Sequence, residues 1–127
     1  DIPSKTQFRR MVASIATDDR CVIISTHQVR DIDKLIDSVA IIDDSRIVLN
    51  QNVSEISEKL AFGTTAELTG QELYSEESIA GHQTVTPNTD GETTQINLEL
   101  LFNAVMANPQ AIRRIFATDN ENKPFKN

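Results

Sequence analysis

Cys21-Val-Ile-Ile-Ser-Thr-His-Gln-Val-Arg-Asp-Ile-Asp33 decides how this chain is read. Its apolar run, Cys21 to Ile24, is bounded by the polar turn Thr17-Asp18-Asp19-Arg20 and by Ser-Thr-His. Residues that are apolar at successive rather than alternate positions leave no solvent-facing side, which is the habit of a strand covered on both faces in a parallel sheet. Val29, Ile32 and Ile36 follow at helical spacing, so the stretch predicts a strand over 21–25 and then a short acidic helix. Crevices in parallel α/β sheets open beyond the carboxyl ends of the strands, and His27 falls at that edge. An imidazole there can donate a hydrogen bond to a bound phosphate; the alternative is a histidine that satisfies a turn carbonyl.

Upstream, Pro3 suits a first helical turn, and Phe8, Met11, Val12 and Ile15 recur at i, i+3, i+4 and i+7, predicting a helix over 3–17. Downstream, Ser38 to Asp43 and Arg46 to Asn50 read as two strands joined by a tight Asp44-Ser45 turn, an antiparallel hairpin. Asn52, with Glu55 at the third helical position, caps a short helix running through Leu60.

The character changes near Gly63. From Thr64 to Gln95 the chain is rich in Thr and Glu, and short alternations predict strands near Phe62–Leu68, Leu73–Ser75 and Thr84–Thr86, with turns at Thr69-Gly70, Pro87-Asn88 and Asp90-Gly91. Two helices follow, one with a Leu98, Leu101, Phe102, Val105 stripe and one begun by Asn108-Pro109 and carrying Ile112, Ile115 and Phe116. From Asp119 the sequence is polar, and a frayed tail is expected there. The fold expected is a piece of an α/β domain over 1–62, followed by a small α+β region over 63–127.

Composition narrows the function. A formal net charge of −7 argues against a nonspecific nucleic-acid or anionic-lipid binder, because both depend on clustered Lys and Arg. Residues 1–62 carry 8 basic and 10 acidic side chains and 63–127 carry 4 and 9, so most of the negative charge is in the second part. The four-residue apolar runs are far below the ~20 needed to span a bilayer, so no direct membrane insertion is expected. The single Cys21 lies within an apolar run and offers no disulfide framework, consistent with a cytoplasmic setting.

The candidate chemistry is sparse. Asp31 and Asp33 are two apart and do not share a helical face. Ser25 has no nucleophile elbow around it, and Cys21 packs rather than reacts on its pattern. His82 has no nearby Cys or His and assembles no metal site from local sequence.

Taken in order, Ser25-Thr-His27, the acidic helix, Asp37 and the strand pair Val39-Ala-Ile-Ile-Asp-Asp-Ser-Arg-Ile-Val48 resemble the end of the ATPase domain of ATP-binding cassette (ABC) transporters. The resemblance covers about the first sixty residues. It implies a C-terminal fragment of a P-loop NTPase-type ABC ATPase domain, with His27 as the switch histidine that contacts the γ-phosphate and Asp1 as the last residue of the D-loop, at the interface between two nucleotide-binding domains. It further implies ATP and Mg²⁺ in the full-length parent, a second ATP-binding subunit and a transmembrane permease as partners, and a cytoplasmic location at the inner face of the cell membrane. Two positions depart from the pattern: Ser45 where the turn usually carries Gly, and Ser38 where a basic residue is usual. The phosphate-cradling loop, the signature motif and the strand bearing the magnesium-binding and catalytic acids have no counterpart here, and all four Gly lie after residue 62. The fragment alone is therefore expected to be inactive as an ATPase, with no cofactor bound and no metal site of its own.

Residues 63–127 resemble the accessory C-terminal regions of some transporter ATPases, which implies regulation or dimer support. The alternative is a non-catalytic regulatory or dimerisation module centred on that part. A strand apolar on both faces needs neighbours that residues 1–62 do not supply, so exposed apolar surface and self-association are expected.

Overall fold

In a computed structural model of the chain, the described residues are 2–15, 23 and 35–122. The chain divides into two compact units, Asp1–Ile36 and Asp37–Asn127. In the first, helix α1 spans Ile2–Ile15, close to the expected span. Val12 is buried but Met11, expected beside it on the apolar face, is 54% exposed. Successive helical residues are ~100° apart, so Met11 and Val12 point in directions that far apart.

Within the opening stretch, Ile23 belongs to no strand and is 88% exposed, so the expected buried strand is not met at that position. A strand apolar on both faces needs flanking strands, and the two sheets formed by the described residues begin only at Ser38. The other residues of the predicted strand, and residues 29–34 of the predicted helix, lie outside the described residues.

The second unit is α+β, and both of its sheets are antiparallel. It opens with the expected hairpin of β1 (Ser38–Asp43) and β2 (Arg46–Asn52). Asp44 and Ser45 stand at φ 50° and 61°, both left-handed, the conformation that matches a two-residue turn to the twist of its strands. The register shifts between Ile41 and Ile42, leaving Val48 as an extra residue in β2. Ile41 and Leu49 pair and are buried, whereas the next pair toward the tip, Ile42 and Ile47, is exposed.

Helix α2 (Val53–Lys59) begins at the predicted cap: Glu55 N–H donates to the Asn52 side-chain oxygen at 2.7 Å. Leu60, expected inside this helix, instead starts β3 (Leu60–Thr65), and its N–H closes the helix on the Ile56 carbonyl. The expected change of character at residue 63 thus falls inside β3, where Phe62 and Gly63 are neighbours. β3 ends at Thr65, whose hydroxyl donates to the Glu67 carbonyl at 2.9 Å and turns the chain, so Ala66 to Leu68 do not continue the strand.

β4 (Tyr74–Ser78) and β5 (Gly81–Pro87) complete a three-stranded sheet in the order β3-β5-β4. Their connection is Ile79-Ala80, and Gly81 follows at φ 125°. A Cβ at Gly81 would lie 2.5 Å from the Thr65 carbonyl oxygen, so this close approach admits only glycine.

Helices α3 (Leu98–Ala107) and α4 (Pro109–Asn122) follow, α4 running past Asp119 where fraying was expected. α3 packs on β5, β4 and α4. Its buried arc is Leu98, Leu100, Leu101, Ala104 and Val105, so Phe102, expected in the stripe, is 42% exposed, one step beyond the arc. Ile56, Leu60, Val85, Leu101 and Ala104 are sealed from solvent and form the heart of the core, with Ile112 and Phe116 of α4 also buried. Asn108 joins the two helices. Its N–H closes α3 on Ala104, its carbonyl receives the Ile112 N–H, and its side chain donates to the Leu73 carbonyl at 3.2 Å rather than capping α4.

Candidate functional site

His27 and Asp1, which carry the functional reading of the sequence, both lie outside the described residues, as does Cys21. The described part of the resembling segment is the hairpin that follows Asp37. Val53 N–H donates to the Asp37 carbonyl at 2.8 Å, extending the β1–β2 ladder by one pair and setting its phase. Residues 37–53 therefore form a continuous hydrogen-bonded hairpin whose turn is set by two left-handed residues.

Elsewhere in the second unit the polar groups act on structure. Glu72 folds back over the Thr69-Gly70 turn, accepting from the Thr69 N–H at 2.7 Å, the Thr69 hydroxyl at 3.0 Å and the Gly70 N–H at 2.9 Å. The Thr69 amide, foremost among these donors, holds the Glu72 carboxyl below its ordinary 4.5. Tyr74 donates its hydroxyl to Glu76 at 3.1 Å, and Asn103 of α3 donates to the same carboxylate oxygen at 3.2 Å, tying β4 to the helix. Desolvation, then the bond to the Glu76 carboxylate and its charge, raise Tyr74 above 10.0. His82 sits on β5 in register with Thr65 of β3 and Glu77 of β4, and among the described residues no group of three His, Cys, Asp or Glu could hold a metal ion.

A cleft of about 310 Å³ runs between β2 and α4, lined by residues 47–51 and by Arg113, Phe116 and Ala117. Sequence reasoning missed it, because its walls are more than sixty residues apart and neither carries a motif. No helix among the described residues is long and apolar enough to cross a membrane. No protein-family model, curated protein or solved structure matches the chain.

Proposed function

We propose that this chain is the C-terminal portion of the ATP-binding subunit of an ABC transporter, with an accessory region from about residue 63, and that its parent couples ATP binding and hydrolysis to membrane transport. The observation that carries the reading is the order Ser25-Thr26-His27, Asp37 and then the hairpin of β1 and β2. The two-residue turn supports it as well. Ser45 adopts φ 61°, the backbone conformation that the Gly usual at that position of the family would take without strain.

The contribution of this chain to catalysis is one histidine. His27 donates a hydrogen bond toward the terminal phosphate and orients the attacking water, an electrostatic and positioning role with no covalent step. Asp1 belongs to the interface with a second ATP-binding subunit, and the permease is the membrane partner. The parent works at the inner face of the cell membrane. ATP and Mg²⁺ are held by upstream segments, since the chain contains no Gly-rich phosphate loop.

The test is steady-state ATP turnover by the full-length subunit carrying His27→Ala. Losing one preorganised donor to the transferring phosphoryl group is expected to lower turnover by about 10²-fold. Turnover within about twofold of wild type, ~0.5 kcal/mol in barrier, would remove the role assigned to His27.

A second reading rests on the compactness of the Asp37–Asn127 unit, which buries Ile56, Leu60, Val85, Leu101 and Ile112. In it the chain is a non-catalytic regulatory or dimerisation module. Limited proteolysis and turnover of the full-length protein separate the two readings: a protected, self-associating fragment over 37–127 from a parent without ATP turnover supports the module, and ATP turnover by the parent supports the first reading.

A further inference from the structure

We propose that Asp90-Gly91 is a self-modification site, at which Asp90 converts to isoaspartate without an enzyme and the loop that carries it opens. Asp90 is the only Asp or Asn of the chain that is followed by Gly. It stands in the connection between β5 and α3, where Thr89 to Thr93 are all exposed. The reaction needs a carboxyl carbon close to the next backbone nitrogen, a nitrogen that nothing else holds, and room for a flat five-membered ring.

Each of these is met in the fold. The Asp90 carboxylate accepts the Glu92 N–H at 2.9 Å. A side chain bonded to the amide two residues on closes an Asx turn, which folds Cγ back over the intervening peptide and toward the Gly91 nitrogen. Among the described residues the Gly91 N–H donates to no group. Glycine sets no side chain beside that nitrogen, and a Cβ built at Gly91 would meet nothing within 4 Å, so the ring has space. The turn thus holds the two reacting atoms of one chain together.

The steps balance with water alone. The Gly91 nitrogen attacks Cγ of the protonated Asp90 carboxyl. The N–Cγ bond forms, the Cγ–OH bond breaks, and the amide proton leaves with the hydroxyl as water. A second water opens the resulting succinimide. Addition at Cγ breaks the new N–Cγ bond and restores aspartate. Addition at the α-carbonyl carbon breaks the original peptide bond, so the chain then runs through Cβ and Cγ and the α-carboxylate is left as the side group.

The surroundings give the change a consequence. Asn88 fastens this loop to the last turn of α2: its N–H donates to the Lys59 carbonyl at 2.9 Å and its Nδ2 to the Ser57 carbonyl at 3.0 Å. The same Nδ2 donates to the Glu92 carbonyl at 2.8 Å, closing a loop with Asp90-Gly91 at its tip. Isomerisation inserts one more backbone carbon between Asn88 and Glu92 and turns the acceptor of the Glu92 N–H into a peptide carbonyl. The closure on Glu92 is then lost. The Asn88 side-chain oxygen is already buried with no partner, so the Nδ2 bonds are what hold this side chain.

The experiment ages the whole chain at body temperature and mildly acidic pH in water enriched in heavy oxygen, with peptide mapping by mass spectrometry. Asp90→Glu, whose longer acid would need a six-membered ring, and wild type unfolded in urea are aged alongside; circular dichroism checks that Asp90→Glu is folded. A species lighter by one water is expected first. Isoaspartate then accumulates at position 90 with one heavy oxygen, accepts one methyl group from S-adenosylmethionine in the presence of an isoaspartyl methyltransferase, and is absent from Asp90→Glu. Accumulation in the folded chain is expected to be no slower than in urea. Amide hydrogen exchange at Asn88 and Glu92 should be faster in the isomerised chain than in the unmodified one. No isoaspartate at position 90, or its formation only in urea, overturns the site. Isoaspartate with unchanged exchange at Asn88 overturns the opening of the loop.

Discussion

Replacing Ser45 by glycine should stabilise the protein, and by an amount the turn geometry sets. Asp44 and Ser45 lie at φ 50° and 61°. There the Cβ of an L-residue crowds the following carbonyl oxygen, at ~1–2 kcal/mol per residue. Glycine at 45 is free of that crowding but loses more backbone entropy on folding, ~0.5–1 kcal/mol. The difference is a gain of about 0.5–1 kcal/mol. Ser45→Ala keeps the Cβ and should gain nothing, which makes it the control. The chain has no Trp and one Tyr, Tyr74, in the same unit as the hairpin, so tyrosine fluorescence follows unfolding of that unit in urea. The expected result is a higher urea midpoint for the glycine variant at unchanged slope, with a thermal midpoint raised by ~2–8 °C for a unit of this size. Equal midpoints for the Gly and Ala variants would refute the claim that left-handed strain at Ser45 limits the hairpin.

Asn52→Ala removes the cap of α2 and should cost about 1 kcal/mol in urea unfolding, while Asn52→Asp keeps an acceptor and should stay close to wild type. Leu101→Ala empties a site with no solvent exposure and should cost ~2.7–5 kcal/mol by the same assay; a loss below about 1 kcal/mol would mean the core collapses around it. Gly81→Ala places a methyl against the Thr65 carbonyl and should lower the thermal midpoint, more than Gly63→Ala, whose Cβ meets nothing. Tyr74 should titrate above 10.0 in phenolate absorbance, and Glu76→Gln should bring it down. Because the folded state favours the neutral phenol, this contribution to stability is complete below pH 10 and is lost as pH rises through the folded value.

What the sequence discloses is what neighbours in the chain decide. The β1–β2 turn and the Asn52 cap were legible because the groups that make them lie within three residues of each other. The β4–β5 turn was not, since Ile79-Ala80 carries no turn chemistry and only the φ of Gly81 marks it. Phe102 matched the α3 periodicity but lies outside the buried arc, because periodicity does not say that a helix will be covered by both a sheet and α4. Thr94 on the Phe62 amide, Asn108 on the Leu73 carbonyl and the β2–α4 cleft join residues 32 or more apart, beyond any local pattern. Of the candidate site, the residue types and their order were legible as a resemblance. Their geometry depends on Asp1 and His27, which local rules do not place.

The coding sequence immediately upstream of Asp1, read from the source DNA, tests the central claim most directly. The proposed function predicts an open reading frame that encodes a Gly-rich phosphate loop, a signature motif and a strand ending in Asp-Glu before Asp1. An upstream frame without those three elements, or a start codon directly before Asp1, would contradict it and leave His27 as an ordinary turn residue.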